Sequence, residues 1–325
     1  MATLVEACNL KKHFPAARGL WDMVRGRQPV VRAVDGLDFT IEEGENVGLL
    51  GESGCGKTTT GRLMLRLIPP TEGSLAFDGK DIAELEGEDL RHFRQVAQLV
   101  FQNPFDALNP RFTIDRSLRE PLVNAKIDRE EHEERMRIAM RRVHLPDVEQ
   151  YTGRYPHQLS GGQLQRVVLA RALILEPRFV VADEPVSMLD VSVRAGILNV
   201  MREVHDQMGL TAVYISHDFA LVRYVCSRTI VMYLGKVVED GPSEDVVRDP
   251  QHPYTKALVQ AVPVPRVDQS HDPLPIIGGL SDVQETPSGC HFRDRCPFAF
   301  ARCTDEEPPI QEIAPGRRAA CHLLD

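Results

Sequence analysis

Gly51-Glu52-Ser53-Gly54-Cys55-Gly56-Lys57-Thr58 reads G-x-x-x-x-G-K-[ST], between the apolar run Asn46–Leu50 (NVGLL) and the helix-like Thr59–Ile68 (TTGRLMLRLI). Each residue type has a physical reason. Glycines let backbone N–H groups curl toward one anion without Cβ clashes. A helix beginning at the lysine points its positive end at phosphates. Lys57 can reach the outer phosphates, and the Thr58 hydroxyl can ligate magnesium. Cys55 reads as a tolerated small residue. Strand, loop and helix in this order predict an α/β fold built on a phosphate loop.

Outward from the loop, further runs suit a parallel sheet covered on both faces. RFVVADE (178–184) and TAVYISHD (211–218) are compact apolar strands ending in polar residues. The first ends in Asp183-Glu184. Beside a phosphate loop, Asp183 is placed to hold magnesium, and Glu184 to act as general base or to position water. VVRAVDGLDFTIEEGENVGLLG reads as strands turning at Glu43-Gly44. TIVMYLGKVVEDG reads as a hairpin turning at Leu234-Gly235-Lys236. The charged segment DREEHEERMRIAMRRVHL spaces Met136, Ile138, Met140 and Val143 along one helix. PAARGLWDMVRGRQP (15–29) reads as an inserted loop with a helical turn near Trp21.

The chain has 325 residues and a net charge of -9, which argues against a basic nucleic-acid stripe. No apolar run reaches the roughly 18 residues of a membrane span, and the N-terminus has no signal pattern. The expectation is a cytoplasmic chain. Prolines cluster after Gln251, which sets an expected boundary near Asp249.

Leu159-Ser160-Gly161-Gly162-Gln163-Leu164-Gln165-Arg166 narrows the reading. Ser160 can cap the following helix, and the glycines allow close approach to an anion. LSGGQ upstream of a D-E strand end resembles the signature of ATP-binding cassette (ABC) ATPases. Gln102 in VFQNPFDALNP resembles the family's Q-loop glutamine, Ser187–Asp190 its D-loop, and His217 its switch histidine. The family more often has Ala at position 188 and Thr at 186. The resemblance implies an α/β fold: an ABC-type P-loop core, an antiparallel β subdomain, an α-helical signature subdomain at about 88–165, and a small Cys-containing C-terminal extension. It implies domains at 1–249 and 250–325. It implies ATP contacts from Phe14 (His13 second), Gly51, Glu52, Ser53, Gly54, Cys55, Gly56, Lys57, Thr58, Thr59 and Gln102. Magnesium would be held by Thr58, Gln102 and Asp183. Glu184 and His217 would be catalytic. Ser160, Gly161, Gly162 and Gln163 would act on the nucleotide of a second cassette, and Asp190 would make dimer contacts.

Gln251–Leu258 (QHPYTKAL) resembles the start of the C-terminal region of the dipeptide/oligopeptide importer ATPases. The resemblance then implies a second ATPase subunit of a different sequence, two membrane permeases, an extracytoplasmic solute-binding protein, and a place on the cytoplasmic face of the membrane. Other solutes of the same importer group (nickel, glutathione, oligosaccharides) stay open. So does a soluble ABC ATPase of DNA repair or translation, although the coiled coil or second cassette typical of those is missing. A regulator without hydrolysis would be expected to lack Glu184 or His217.

Of seven cysteines, four lie in the tail as C-x5-C-x6-C-x17-C: Cys290, Cys296, Cys303 and Cys321. A reducing compartment disfavours disulfides. The spacings are longer than the usual zinc pairs. Four thiolates can hold a 4Fe-4S cluster, and the resemblance implies one. Zinc and plain buried thiols are the alternatives. Cys8 and Cys226 are expected on core elements and inert.

Overall fold

The structure is a computed structural model and describes residues 2–15, 30–261, 276 and 287–325. The segment around Trp21 and the proline cluster at 262–275 lie outside the described residues. The chain divides into two compact units.

The first unit is chiefly Glu84–Ile215 with Glu42–Asn46. Its strands Ala97–Val100, Phe179–Asp183 and Thr211–Ser216 pair in parallel, with Ala97 opposite Phe179 and Phe179 opposite Thr211. Phe179, Val180, Val181, Ala212 and Val213 are at most 3% exposed, so the strands are covered on both faces. Burial of that kind stabilises by about 1.5–3 kcal/mol per large apolar side chain. The charged segment forms the helix His132–Arg142. Met136, Ala139, Met140 and Val143 follow an i, i+3, i+4, i+7 pattern and are buried, which leaves the arginines and glutamates to solvent. Arg166 of the signature helix Gly161–Leu173 donates to the Val143 carbonyl at 2.8 Å and ties the two helices together.

The second unit comprises Thr3–Ile41, Val47–Ala83 and Ser216–Asp325. It holds the expected antiparallel sheet, in the order Val30–Glu42, Thr3–Pro15, Glu72–Phe77, Lys80–Asp81. In its other sheet, Arg228–Tyr233 runs parallel to Asn46–Leu50 and antiparallel to Lys236–Pro242. The predicted hairpin turn is present, with Lys236 opposite Tyr233.

The tail, expected as a small C-terminal extension, joins the sheet of the second unit. Arg317–Ala319 adds to Lys236–Pro242 with Glu239 opposite Ala319, and Gln311–Ala314 adds outside it. The edge is locked by charge. Arg317 pairs with the fully buried Glu239 at 3.2 Å. Arg228 and Arg318 pair with buried Asp240 at 2.7 and 2.5 Å. Phe292, 1% exposed, packs against Tyr233, His252 and Tyr254. One cysteine expectation also changes. Cys226 is buried, but Cys8 is exposed, because strand alternation turns Ala7 inward and its neighbour out.

Candidate functional site

In the second unit, the phosphate loop leads from the buried strand Asn46–Leu50 into the helix Lys57–Met64. Gly56 sits at the helix N-cap with φ +106°, and a Cβ there would lie 2.1 Å from the Ala33 carbonyl oxygen. Only glycine fits both conditions. No side chain caps this helix, so its first N–H groups keep the character of an anion site. The Lys57 ammonium, buried with its side chain, donates to the carbonyls of Gly51 at 2.7 Å and Glu52 at 2.8 Å. The lysine is thus folded back over its own loop. Ser53, Gly54 and Thr58 are exposed, and Thr59 is half-buried. Cys55 is buried 3.8 Å from the Lys57 ammonium. Burial raises its thiol above the usual range, which keeps it neutral and fits the role of a small packing residue.

Also in this unit, His217 is exposed just after the strand Thr211–Ser216, ahead of the helix Phe219–Val225 that Asp218 caps. Phe14 is 37% exposed, with the Lys12 ammonium 5.2 Å from its ring centre. His13 instead contacts Asp35 at 3.0 Å. An exposed ring can stack on a base, whereas an engaged imidazole is committed elsewhere.

In the first unit, Gln102 donates its side-chain amide to the Glu184 carboxylate at 2.9 Å. Glu184 has φ +44°, a backbone region that non-glycine residues rarely occupy, at the end of the strand that carries Asp183. Its carbonyl accepts from the Ser187 hydroxyl at 3.0 Å. Arg194 donates to the carbonyls of Leu189 and Ser187 at 2.8 and 3.2 Å, which fixes the turn ahead of Asp190. Around exposed Asp190, Met188 is 64% and Val191 80% exposed.

Ser160 and Gln163 form a reciprocal cap. The serine oxygen accepts from the Gln163 N–H at 3.3 Å, and the glutamine oxygen accepts from the Ser160 N–H at 3.1 Å. A Cβ on Gly162 would lie 2.6 Å from Val193, so the signature helix and the helix Val191–Met208 meet where only hydrogen fits. Gly161 lies at the exposed start of the helix.

The four tail cysteines fall in one region and feel one another electrostatically. Burial, reinforced by the neighbouring sulfurs, pushes Cys290 up to about 11 and raises Cys296 and Cys321. Among the described residues, however, no group of three or more His, Cys, Asp or Glu is arranged to hold a metal ion. The ligand set expected of Cys290, Cys296, Cys303 and Cys321 is therefore not assembled here. The thiols sit at different depths, Cys290 and Cys296 half-buried and Cys303 and Cys321 buried.

Sequence reasoning missed Arg295 and Tyr254. Tyr254 accepts from the Glu52 N–H at 2.8 Å, and Arg295 pairs with the Glu52 carboxylate. Both lie about 200 or more positions from the loop, and nothing local in the sequence links them to it.

Residues 34–187 match the family described as "ABC transporter", and residues 238–303 match "Oligopeptide/dipeptide transporter, C-terminal region". A peptide import ATP-binding protein of Brucella ovis is 46% identical over 307 residues, which span 94% of this chain and 96% of that protein. The oligopeptide transport ATP-binding protein AppF of Bacillus subtilis is 43% identical over 325 residues, covering 99% and 97%. Among solved structures, the ATP-binding cassette MJ0796, a dimer bound to ADP and phosphate, is 28% identical with a TM-score of 0.64, covering 74% of this chain and 99% of that one. The structure of cbiO1 from Clostridium perfringens is 25% identical with a TM-score of 0.65, covering 77% and 92%.

Proposed function

Since this chain belongs to the ABC transporter ATPase family, we propose that it is the ATP-hydrolysing subunit of a peptide importer. The observation that carries the substrate class is the match of residues 238–303 to the oligopeptide/dipeptide transporter C-terminal region. Full-length relatives named for peptide import add to it. Among the described residues, no helix is long and apolar enough to cross a membrane. On the family match, the solute path is assigned to two separate permease subunits, and this chain to the cytoplasmic face beneath them. A solute-binding protein outside the membrane would deliver the peptide. The exposed Phe101 and Phe105 (39% and 55%) flank Gln102 and offer apolar surface for permease docking.

The working arrangement is a cassette dimer, either two copies or this chain with a related one. Met188 and Val191, exposed on either side of Asp190, are the apolar surface such a partner would cover. Residues 1–249 act as the ATPase domain and 250–325 as the C-terminal domain.

The chemistry follows from the side chains. Gly51–Thr59 cradle the phosphates, and Phe14 stacks on adenine. Lys57 exchanges its two loop carbonyls for phosphate oxygens. Thr58, Gln102 and Asp183 would supply hydroxyl, amide and carboxylate oxygen, a donor set suited to Mg²⁺. That ion would neutralise charge on the outer phosphates. Glu184, positioned through Gln102, takes the proton of the attacking water. His217, with Ser160, Gly161, Gly162 and Gln163 of the opposing cassette, stabilises charge on the departing γ-phosphate. No step is assigned to the tail cysteines.

Deletion of the chain in its own cell, followed by uptake of labelled di- and oligopeptides and of nickel, tests the reading. Loss of peptide uptake, restored by the wild-type chain and not by Glu184→Gln, is the expected result. Unchanged peptide uptake with loss of nickel uptake would reassign the solute and leave the ATPase reading in place.

A further inference from the structure

Arg295 sits in the tail, yet its guanidinium meets the second residue of the phosphate loop. Its terminal nitrogens lie 2.6 and 3.0 Å from the two carboxylate oxygens of Glu52, in a forked pair. The Arg295 side chain is 8% exposed and that of Glu52 is 25% exposed. Such a charge-assisted, two-pronged contact is among the stronger side-chain interactions, and its geometry is specific to arginine.

The arginine is held in place from several sides. Its guanidinium lies 5.7 Å from the Tyr233 ring centre and 5.9 Å from that of Phe292. The nearby His291 bonds the Leu234 carbonyl at 3.0 Å. Arg295 Nε is buried with no partner among the described residues. The hydrogen bonding of the guanidinium thus comes from its terminal nitrogens, which go to Glu52 and, at 3.5 Å, to the Tyr233 hydroxyl.

Every polar group of Glu52 is engaged. Its N–H goes to Tyr254, its carbonyl accepts from Lys57, and its carboxylate takes Arg295. Two of these three partners come from beyond Gln251, outside the nucleotide motifs. A carboxylate in a loop that gathers several phosphates is a liability, since like charges repel strongly where solvent is partly excluded. Paired with arginine, it is electrically near neutral and fixed in direction.

We propose that Arg295 is a positioning residue for nucleotide binding, neutralising and fixing Glu52 so that the tail sets the charge and shape of the phosphate loop. The inference rests on the reading of Gly51–Thr58 as the nucleotide loop. It gives the C-terminal region a direct part in nucleotide affinity.

The test is a double-mutant cycle on the full chain, read by titration with a fluorescent ATP analogue in magnesium buffer. Arg295→Gln should weaken binding about tenfold when Glu52 is present, the scale expected of a charge-assisted pair. In the Glu52→Gln background, the same change should weaken it less than about twofold, since no charge is left to neutralise. Equal losses in both backgrounds would reduce Arg295 to a packing residue and overturn the proposal, as would no loss in either. Arg295→Lys, read in the same two backgrounds, replaces Arg295→Gln if circular dichroism shows that variant unfolded. A wild-type chain that binds no nucleotide would remove the loop reading itself, an outcome distinct from equal losses.

Discussion

The Gln102 side-chain amide lies 2.9 Å from the Glu184 carboxylate, so a loop residue is joined to the strand-end acid 82 positions later. Glu184 is also held at φ +44°, and strain of that kind persists only where surrounding contacts fix it. Glu184→Gln should therefore keep ATP binding and lower hydrolysis by about 10²–10⁴-fold, the usual contribution of a general base. Phosphate release and size exclusion in the presence of ATP check this. Hydrolysis within a few-fold of wild type would remove Glu184 from its role.

Lys57 lies over the carbonyls of Gly51 and Glu52. Lys57→Ala removes the one cation of the loop and leaves those two carbonyls without this donor. Nucleotide affinity should fall by about tenfold or more, in line with the loss of a charge-assisted contact to phosphate. Calorimetric titration with ATP measures it, and unchanged affinity would count against the phosphate-loop assignment.

His252 is 1% exposed, and its Nδ1 accepts from the Tyr254 N–H at 3.0 Å. Burial depresses it to about 3, so it stays neutral in the folded chain. An unfolded histidine protonates near its ordinary value of 6.5. Below that pH the unfolded chain binds a proton that the folded one does not, and stability falls as pH drops. Between pH 7.5 and 5.5 the loss from this group should be about 1.4 kcal/mol. Urea unfolding at the two pH values, compared with His252→Asn, isolates it. Asparagine is a good helix cap at this position, and the variant should lack that part of the pH dependence. Equal dependence in both proteins would move the effect to another group.

Glu239 is fully buried, with Arg317 3.2 Å away and the N–H groups of Gln251 and His252 at about 3 Å. Arg317→Ala would leave a buried carboxylate short of its cation. Breaking such a pair costs roughly 3 kcal/mol or more. Denaturant titration reads this, and a loss below about 1 kcal/mol would mean that the two N–H donors alone satisfy the carboxylate.

Local pattern made part of the molecule readable. Gly51–Thr58, Asp183-Glu184 and Ser160–Gln163 each carry their chemistry within a few consecutive residues. The structure finds the capping box on Ser160 and Gln163, and the hairpin at Leu234-Gly235. Arg295 and Tyr254 were not readable, because their relation to Glu52 exists only after distant segments meet. The short strands at 311–314 and 317–319 carry glutamates and arginines that look like solvated charge. Arg317–Ala319 becomes an interior piece through the pairing of Arg317 with Glu239 and of Arg318 with Asp240, which no periodicity announces, while Gln311–Ala314 stays at the edge. Cys8 was misread because its strand has a buried face and an open one, and the period alone does not say which side is in.

The pairing of Arg317–Ala319 with Lys236–Pro242 also bears on how the protein is made. The second unit draws on Thr3–Ile41, Val47–Ala83 and Ser216–Asp325, so the strand Asn46–Leu50 emerges long before its partner Arg228–Tyr233. The first unit is mostly one uninterrupted run, Glu84–Ile215, and can close while synthesis continues. The second is completed only once Arg317–Ala319 has left the ribosome and paired with Lys236–Pro242. Contacts so far apart in sequence are slow to form. On the growing chain, Asn46–Leu50 is therefore the strand that most needs a chaperone, whereas Thr3–Pro15 meets its neighbours Val30–Glu42 and Glu72–Phe77 early.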